Sequence, residues 1–242
     1  MGLFGNNPFS GYFYLFRGGL MSIERIGNTL ASATPLMLTG LSVAFAFKTG
    51  LFNIGAAGQM LMGGLFATAI ALTLNFSKPI MLSIIILSSI VGGGVWGFLP
   101  GLLKAKFNVH EVVSTIMMNW IAYWLVYYTV PAYFKGQTLE TESRLIPYYS
   151  SLKVDWLTNM FHGSYLNLGF FIAIAVIIII SIILNRTVLG FDMKAAGFNR
   201  DAALSSGINV NKNIVLSMVI AGGLSGLAGA TYYVGYASNM QI

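Results

Sequence analysis

The side chains able to do chemistry in this sequence are few, and most are neutral amides. Asn53, Gln59 and Asn119 stand in or beside apolar runs, the last next to Trp120. A carboxamide both donates and accepts. A set of them can therefore hold an uncharged ligand with several hydrogen-bonding groups without placing charge in lipid. Pairings that invite a reaction fail on spacing. His110–Glu111 has Ser114 where a second zinc-ligating histidine would stand, and Lys48–Thr49 follows Phe47 where a phosphate-binding loop needs glycine. With no cysteine, disulfides, thiolate catalysis and cysteine-based metal sites are excluded. Glu111 lies at the end of its apolar run, and no run carries an acid or base at its centre. That weighs against a proton- or ion-coupled carrier. No catalytic residue, metal site or bound cofactor is expected in this chain.

Two polar stretches position these groups. Gly50–Gln59, GLFNIGAAGQ, interrupts two apolar runs with three glycines, an Asn and a Gln. Embedded in a membrane protein, such a stretch exposes backbone donors at a helix start and lines a polar cavity. An ordinary turn after Lys48 is the other reading. Asn119 with Trp120 poses the same choice: an interhelical tie, or a group facing a path. The second stretch, Arg186–Lys212, carries Arg186, Lys194, Arg200 and Lys212 against Asp192 and Asp201. Asn199 is placed to cap two helical turns over Arg200–Ser206, Gly207 to stand at C′, and Asn211 to cap the next long helix. A short capped helix at a membrane surface suits a partner's grip; it also suits a connector lying in the interface.

The elements that carry these groups are membrane spans. Of 242 residues, 56% are hydrophobic and 8% charged, against about 25% charged in soluble domains. The sequence predicts an all-α polytopic bundle of about six spans, a single transmembrane domain over residues 1–242. The net charge of +6 is spread over loops and reads as topology information, not as a nucleic-acid surface. The spans are expected at Leu30–Phe47, Ala57–Leu74, Pro79–Leu103, Glu111–Val130, Tyr165–Leu184 and Asn213–Tyr236, with Pro131 helping to end the fourth. Before them, Met1–Asn28 has no signal-peptide pattern. Asn7–Pro8 begins an interfacial helix with Phe9, Tyr12, Phe13, Phe16 and Leu20 near helical spacing. Glycines four apart, at 93, 97 and 101 and at 222 and 226, predict close helix packing. The basic Arg186–Lys212 loop is assigned to the cytoplasm together with Lys48, Lys104 and Lys106. The loop 135–163, whose Lys135, Arg144 and Lys153 are balanced by Glu140, Glu142 and Asp155, is assigned outside with residues 1–28.

Three stretches in this order resemble one family: Thr34–Gly64 (TPLMLTGLSVAFAFKTGLFNIGAAGQMLMGG), Leu102–Trp120 (LLKAKFNVHEVVSTIMMNW) and Gly190–Val210 (GFDMKAAGFNRDAALSSGINV). They resemble the permease subunits of bacterial ABC importers for nucleosides and simple sugars, in the wider branched-chain amino acid and ribose permease group. GLFNIGAAGQ and KAKFNVHEVVSTIMMNW look most like the nucleoside branch. The resemblance implies the translocation subunit of a nucleoside importer in the cell membrane, itself no enzyme. Cargo of simple sugars or branched-chain amino acids is the alternative within the superfamily, and a carrier or channel without an ATPase is the alternative outside it. The resemblance further implies that Ala196–Ile208 is a cytoplasmic coupling helix, with Ala196, Gly197, Asn199, Arg200, Ala202, Ala203, Gly207 and Ile208 toward a separate ATPase subunit holding ATP–Mg. It also implies a second permease subunit, an extracellular lipid-anchored binding protein, and a substrate path taking in Asn53, Gln59, Asn119 and Trp120. Relative to such permeases, helices at both ends are expected to be missing.

Overall fold

The computed structural model describes residues 8–136 and 141–241. Asn7 and Glu140 of the expectations above lie outside that range. Helix α1 (Pro8–Leu20) leads into α2 (Ile23–Lys48), α3 (Ala56–Thr73), α4 (Lys78–Phe107) and α5 (Glu111–Tyr133). A loop holding the short α6 (Asp155–Met160) delivers the chain to α7 (Gly169–Arg186). Then come α8 (Val188–Phe198), α9 (Arg200–Ser205) and α10 (Val210–Ala230), the last prolonged by a π-helical turn at Thr231–Ala237. Helices α2, α3, α4, α7 and extended α10 are long and apolar enough to cross a membrane. The remaining expected span is α5, whose 23 residues rise about 34 Å. Its tryptophans, tyrosines and Asn119 make it less apolar than those five.

Several boundaries shift for local reasons. Helix α2 begins seven residues early because the Ser22 hydroxyl caps it, accepting from Arg25 N at 3.2 Å. The end of the expected interfacial segment is therefore span. Helix α5 runs through Pro131 to Tyr133 instead of ending at Val130. Helix α7 starts at Gly169, whose N–H is taken by Asn167 Oδ1 at 2.9 Å. The cap of α10 is Asn209, accepting from Lys212 N at 3.0 Å, and not Asn211.

The core is α10. It lies against α4, α3 and α2, and 78% of its apolar window is buried, against 17% for α7. The reason is its run of small residues. Gly93 and Gly97 of α4 face Gly222 and Gly226 of α10. A Cβ on Gly93 would fall 2.6 Å from Gly226 Cα and onto the Gly222 carbonyl. The two backbones touch there, and no larger side chain fits.

Alternation of the helices sorts the connections into two ends. The turn after Lys48, the α4–α5 turn with its Lys104–Glu111 ion pair of 3.0 Å, and the segment 186–212 share one end. Helix α1 and the loop before α7 share the other. That loop is packed down: Ser150 Oγ donates to Ala71 O at 3.1 Å, and Lys78 Nζ donates to Lys153 O at 2.6 Å. Tyr165 N reaches Asn28 Oδ1 at 2.8 Å.

Candidate functional site

At the end of the bundle shared by the Lys48 turn and segment 186–212, the chain between α2 and α3 folds inward and carries its polar groups with it. Asn53 and Gln59 are each 1% exposed. Their carboxamides pair reciprocally: Asn53 Nδ2 donates to Gln59 Oε1 at 2.8 Å, and Gln59 Nε2 donates to Asn53 Oδ1 at 3.1 Å. Asn53 Oδ1 also accepts from Gly55 N at 3.1 Å, and its Nδ2 reaches Ser42 Oγ on α2 at 3.3 Å. Ser42 in turn donates to Ala221 O of α10 at 2.6 Å and accepts from Ser225 Oγ at 2.9 Å. Beside this cluster, Thr49 Oγ1 donates to Ser217 Oγ at 2.8 Å. Every group in this network is neutral. Burial of so many polar atoms is tolerable only because they bond one another. The same bonds leave the site able to trade internal partners for those of an uncharged ligand.

Asn119 stands apart from that pair. Its Oδ1 accepts from Gly58 N at 2.8 Å and its Nδ2 donates to Ile54 O at 3.0 Å. Both functions of the amide are spent on backbone, pinning the start of α3 to α5. Trp120 points away from the cluster, 61% exposed on the outside of α5. The structure thus brings Asn53 and Gln59 together, places Asn119 as the clamp of their turn, and separates Trp120 from them.

The α8–α9 segment is tied to the same cluster through backbone. Gly50 has φ +71° and lies against Gly197 at the end of α8. A Cβ on Gly197 would fall 2.8 Å from Gly50 N and 2.5 Å from Lys48 O. Ala196 and Ala203 are buried in one apolar core with Ala46, Leu51, Ile214 and Ala221, and Ile208 packs against it. Helix α9 is closed at both ends. Asn199 Oδ1 accepts from Asp201 N at 3.0 Å and Ala202 N at 3.1 Å. At the other end Gly207 N reaches Leu204 O and Ile208 N reaches Ala203 O, each at 3.0 Å, with Gly207 at φ +82°. This is the paired C-terminal closure that a left-handed glycine permits.

Among the eight residues expected to face an ATPase, Ala196, Gly197, Ala203 and Ile208 look inward or half inward, toward α2 and α10. Ala202, Asn199 and Gly207 are exposed, and Arg200 is half-buried. Sequence reasoning passed over the side chains that stand out most: Phe198 at 97% exposure and Leu204 at 57%. A groove of about 260 Å³ opens between Phe191, Phe198, Ala202 and Ser206. The available signal was large apolar residues on either side of a helix cap in a basic loop.

The described residues thus form an all-α bundle of apolar helices whose buried polar core is uncharged and whose Lys48 turn meets the segment leading to a capped surface helix backbone to backbone. The chain belongs to the family described as the permease component of the branched-chain amino acid transport system, whose model matches residues 25–241. That is a family of transport subunits of the cell membrane and not of enzymes. The chain is 39% identical over 241 residues to the nucleoside ABC transporter permease protein NupB of Lactococcus lactis subsp. cremoris, covering 98% of this chain and 66% of that one. It is 40% identical over 221 residues to the guanosine ABC transporter permease protein NupP of Bacillus subtilis, covering 91% and 63%. Identity to the glucose ABC transporter permease protein TsgB13 of Haloferax volcanii is 26% over 230 residues, 92% and 60% of the two chains. The chain therefore spans 66% and 63% of the length of the first two relatives. No solved structure matches it.

Proposed function

We propose that this chain is the translocation subunit of an ATP-driven importer that passes nucleosides across the cell membrane. The observation that carries the reading is the neutral amide–hydroxyl core of Asn53, Gln59, Ser42 and Ser225, all buried and mutually bonded. A nucleoside offers donors and acceptors on its base edge and ribose hydroxyls but no net charge. The Asn53–Gln59 pair can open and exchange its internal bonds for bonds to such a cargo at little net cost. Similarity of about 40% to permeases named for nucleosides and guanosine supports the same cargo class. The lower identity to a glucose permease favours a nucleoside over a simple sugar.

Energy enters from a separate ATPase subunit that carries ATP–Mg. Its docking surface is the α8–α9 segment, where Phe198 and Leu204 supply exposed apolar anchors around the Asn199 and Gly207 caps. Segment 186–212 then faces the cytoplasm and the 135–163 loop faces outward, toward a lipid-anchored binding protein. A second permease subunit completes the path. ATP-dependent uptake of radiolabelled guanosine by the assembled importer in proteoliposomes tests this, with glucose and branched-chain amino acids as competitors. Uptake that needs no ATP, or that glucose abolishes and nucleosides do not, overturns it. Sidedness has its own test in this cysteine-free chain. Ser205→Cys should be shielded from an impermeant thiol reagent in intact cells, and Leu145→Cys, at a 74% exposed position, should label.

A further inference from the structure

Helices α4 and α10 run antiparallel, and beside their glycine contact they leave a cleft. On α4 it is lined by Val91, Gly94, Phe98, Leu102 and Lys106, and on α10 by Lys212, Val215, Val219, Gly223 and Leu227. Steps of three and four residues keep each stripe on one helix face. The deep part is a slot of about 420 Å³ lined by valine, isoleucine, leucine and glycine alone, with Val176 of α7 as its third wall. At Val219, which lines both parts, the slot meets a mouth of about 580 Å³. The mouth lies at the end shared with segment 186–212, and Lys106, Asn209, Asn211 and Lys212 stand around it.

The charge at the mouth is unbalanced. Lys104 is held by Glu111 at 3.0 Å, but among the described residues no carboxylate pairs with Lys106 or Lys212, and none lines the mouth. Both lysines are exposed. The first turn of α10 opens there and adds the partial positive charge of a helix start, and Asn211 adds amide donors. Length decides what kind of molecule fits. From Val91 to Lys106 is about 22 Å along α4, close to the roughly 20–22 Å of one leaflet with its head groups. An apolar slot of leaflet depth that ends at two unpaired cations has the polarity of a phospholipid, chain inside and phosphate at the surface. A soluble anion would use the mouth and leave the slot empty. An apolar helix would fill the slot and leave the two lysines without a counter-charge.

We propose that the α4–α10 cleft binds an anionic phospholipid of the leaflet on that side, with one acyl chain in the slot and the phosphate between Lys106 and Lys212. Basic pockets between spans hold such head groups. Under the sidedness proposed above, that leaflet is the cytoplasmic one. The site is separate from the amide core and does not depend on the nature of the cargo. Ala221 and Ser225, which meet Ser42, each stand two residues from Gly223 and so on the opposite face of α10. The lipid chain fills the space that Gly94 and Gly223 leave beside the backbone contact, and so ties the packing of α10 to the composition of the membrane.

Native mass spectrometry of the purified full chain tests this, with phosphatidylglycerol added against phosphatidylcholine of the same chains. Phosphatidylglycerol should bind about tenfold or more tightly than phosphatidylcholine. Lys106→Gln and Lys212→Gln should each weaken it about fivefold, and the double variant should bring it near phosphatidylcholine. Arg144→Gln, at an exposed position on the opposite end, should change nothing. Gly94→Leu fills the slot, and its Cβ meets nothing closer than Val219 O at 3.4 Å, an ordinary contact. It should weaken both lipids alike by about tenfold, since two displaced methylenes are worth roughly fourfold each. Equal affinity for the two lipids, or lysine variants that bind like wild type, overturns the proposal. Phosphatidylglycerol binding untouched by Gly94→Leu shows that no chain enters the slot, as when another helix covers it, and also overturns it. So does displacement of phosphatidylglycerol by inorganic phosphate, which would reduce the mouth to a site for any phosphate anion.

Discussion

Helices α7 and α10 look alike as strings of apolar residues and do opposite jobs. Over 18 residues α7 reaches a mean hydropathy of 2.4, above the 1.8 of extended α10, yet 17% of its window is buried against 78%. The more hydrophobic helix is the one left outside. In lipid the hydrophobic effect does not choose which helix lies at the centre, because acyl chains are as apolar as isoleucine. Close packing and hydrogen bonding choose it instead. Helix α10 carries Gly222, Gly223, Gly226 and Gly229 together with Ser217 and Ser225, so it can touch α3 and α4 at backbone distance and bond to Ser42 of α2. Helix α7 is largely isoleucine and can offer only bulk.

The largest effect that would break this contrast is Gly226→Leu. A Cβ there meets the Ser89 carbonyl and lies 3.0 Å from Gly93 Cα, so the side chain has no space and overpacking should exceed about 3 kcal/mol. The expected outcome is loss of monodisperse protein in detergent extracts; wild-type yield would show that α10 and α4 are not in backbone contact. Asn53→Leu is next. It leaves the buried Gln59 amide and Ser42 short of partners, a loss of about 1–3 kcal/mol measurable by thermal unfolding in detergent. The double variant Asn53→Leu, Gln59→Leu should recover part of that loss, since it removes both members of the pair. Strictly additive losses would mean the two amides do not bond.

Gly207→Val acts at the entrance to α10. The glycine has φ +82° and open space around its Cα, so the change brings backbone strain of about 1–3 kcal/mol without any clash. Span packing should be kept while substrate-stimulated ATP hydrolysis by the assembled importer falls, and full stimulation would remove α9 from coupling. The smallest effect is Ile179→Val on α7. At 53% exposure it should change stability by no more than about 0.5 kcal/mol. A larger loss would mean that this face of α7 is covered by another chain.

The contact between Gly50 and Gly197 links the two halves of the proposed machine. It joins the turn that holds Asn53 to the end of α8, where α9 begins, with no side chain between them. Asn119 bonds the same turn to α5 through Gly58 N and Ile54 O. The exposed Phe198 sits one residue from that contact.

What the sequence determined by itself was everything set within a few residues along the chain. The apolar runs announced the spans, because length and hydropathy are local sums. Asn199 and Gly207 announced α9 and both its closures, because a cap is made by a residue and the backbone two to five positions away. The glycines four apart announced close packing. The tertiary structure decided what faces what. That Gly93 meets Gly226, and not Gly229 or Gly63, depends on the rotation and depth of α4 and α10, which no local pattern encodes. The pairing of Asn53 with Gln59 needs the turn folded inward against α10. The exposure of Trp120 follows from the way α5 is rotated against α3 by the Asn119 clamp. The cap at Asn209 instead of Asn211 follows from where Val210 is drawn into the core beside Ala203 and Ala46. In each case the deciding contact lies tens of residues away in sequence, and only packing in three dimensions supplies it.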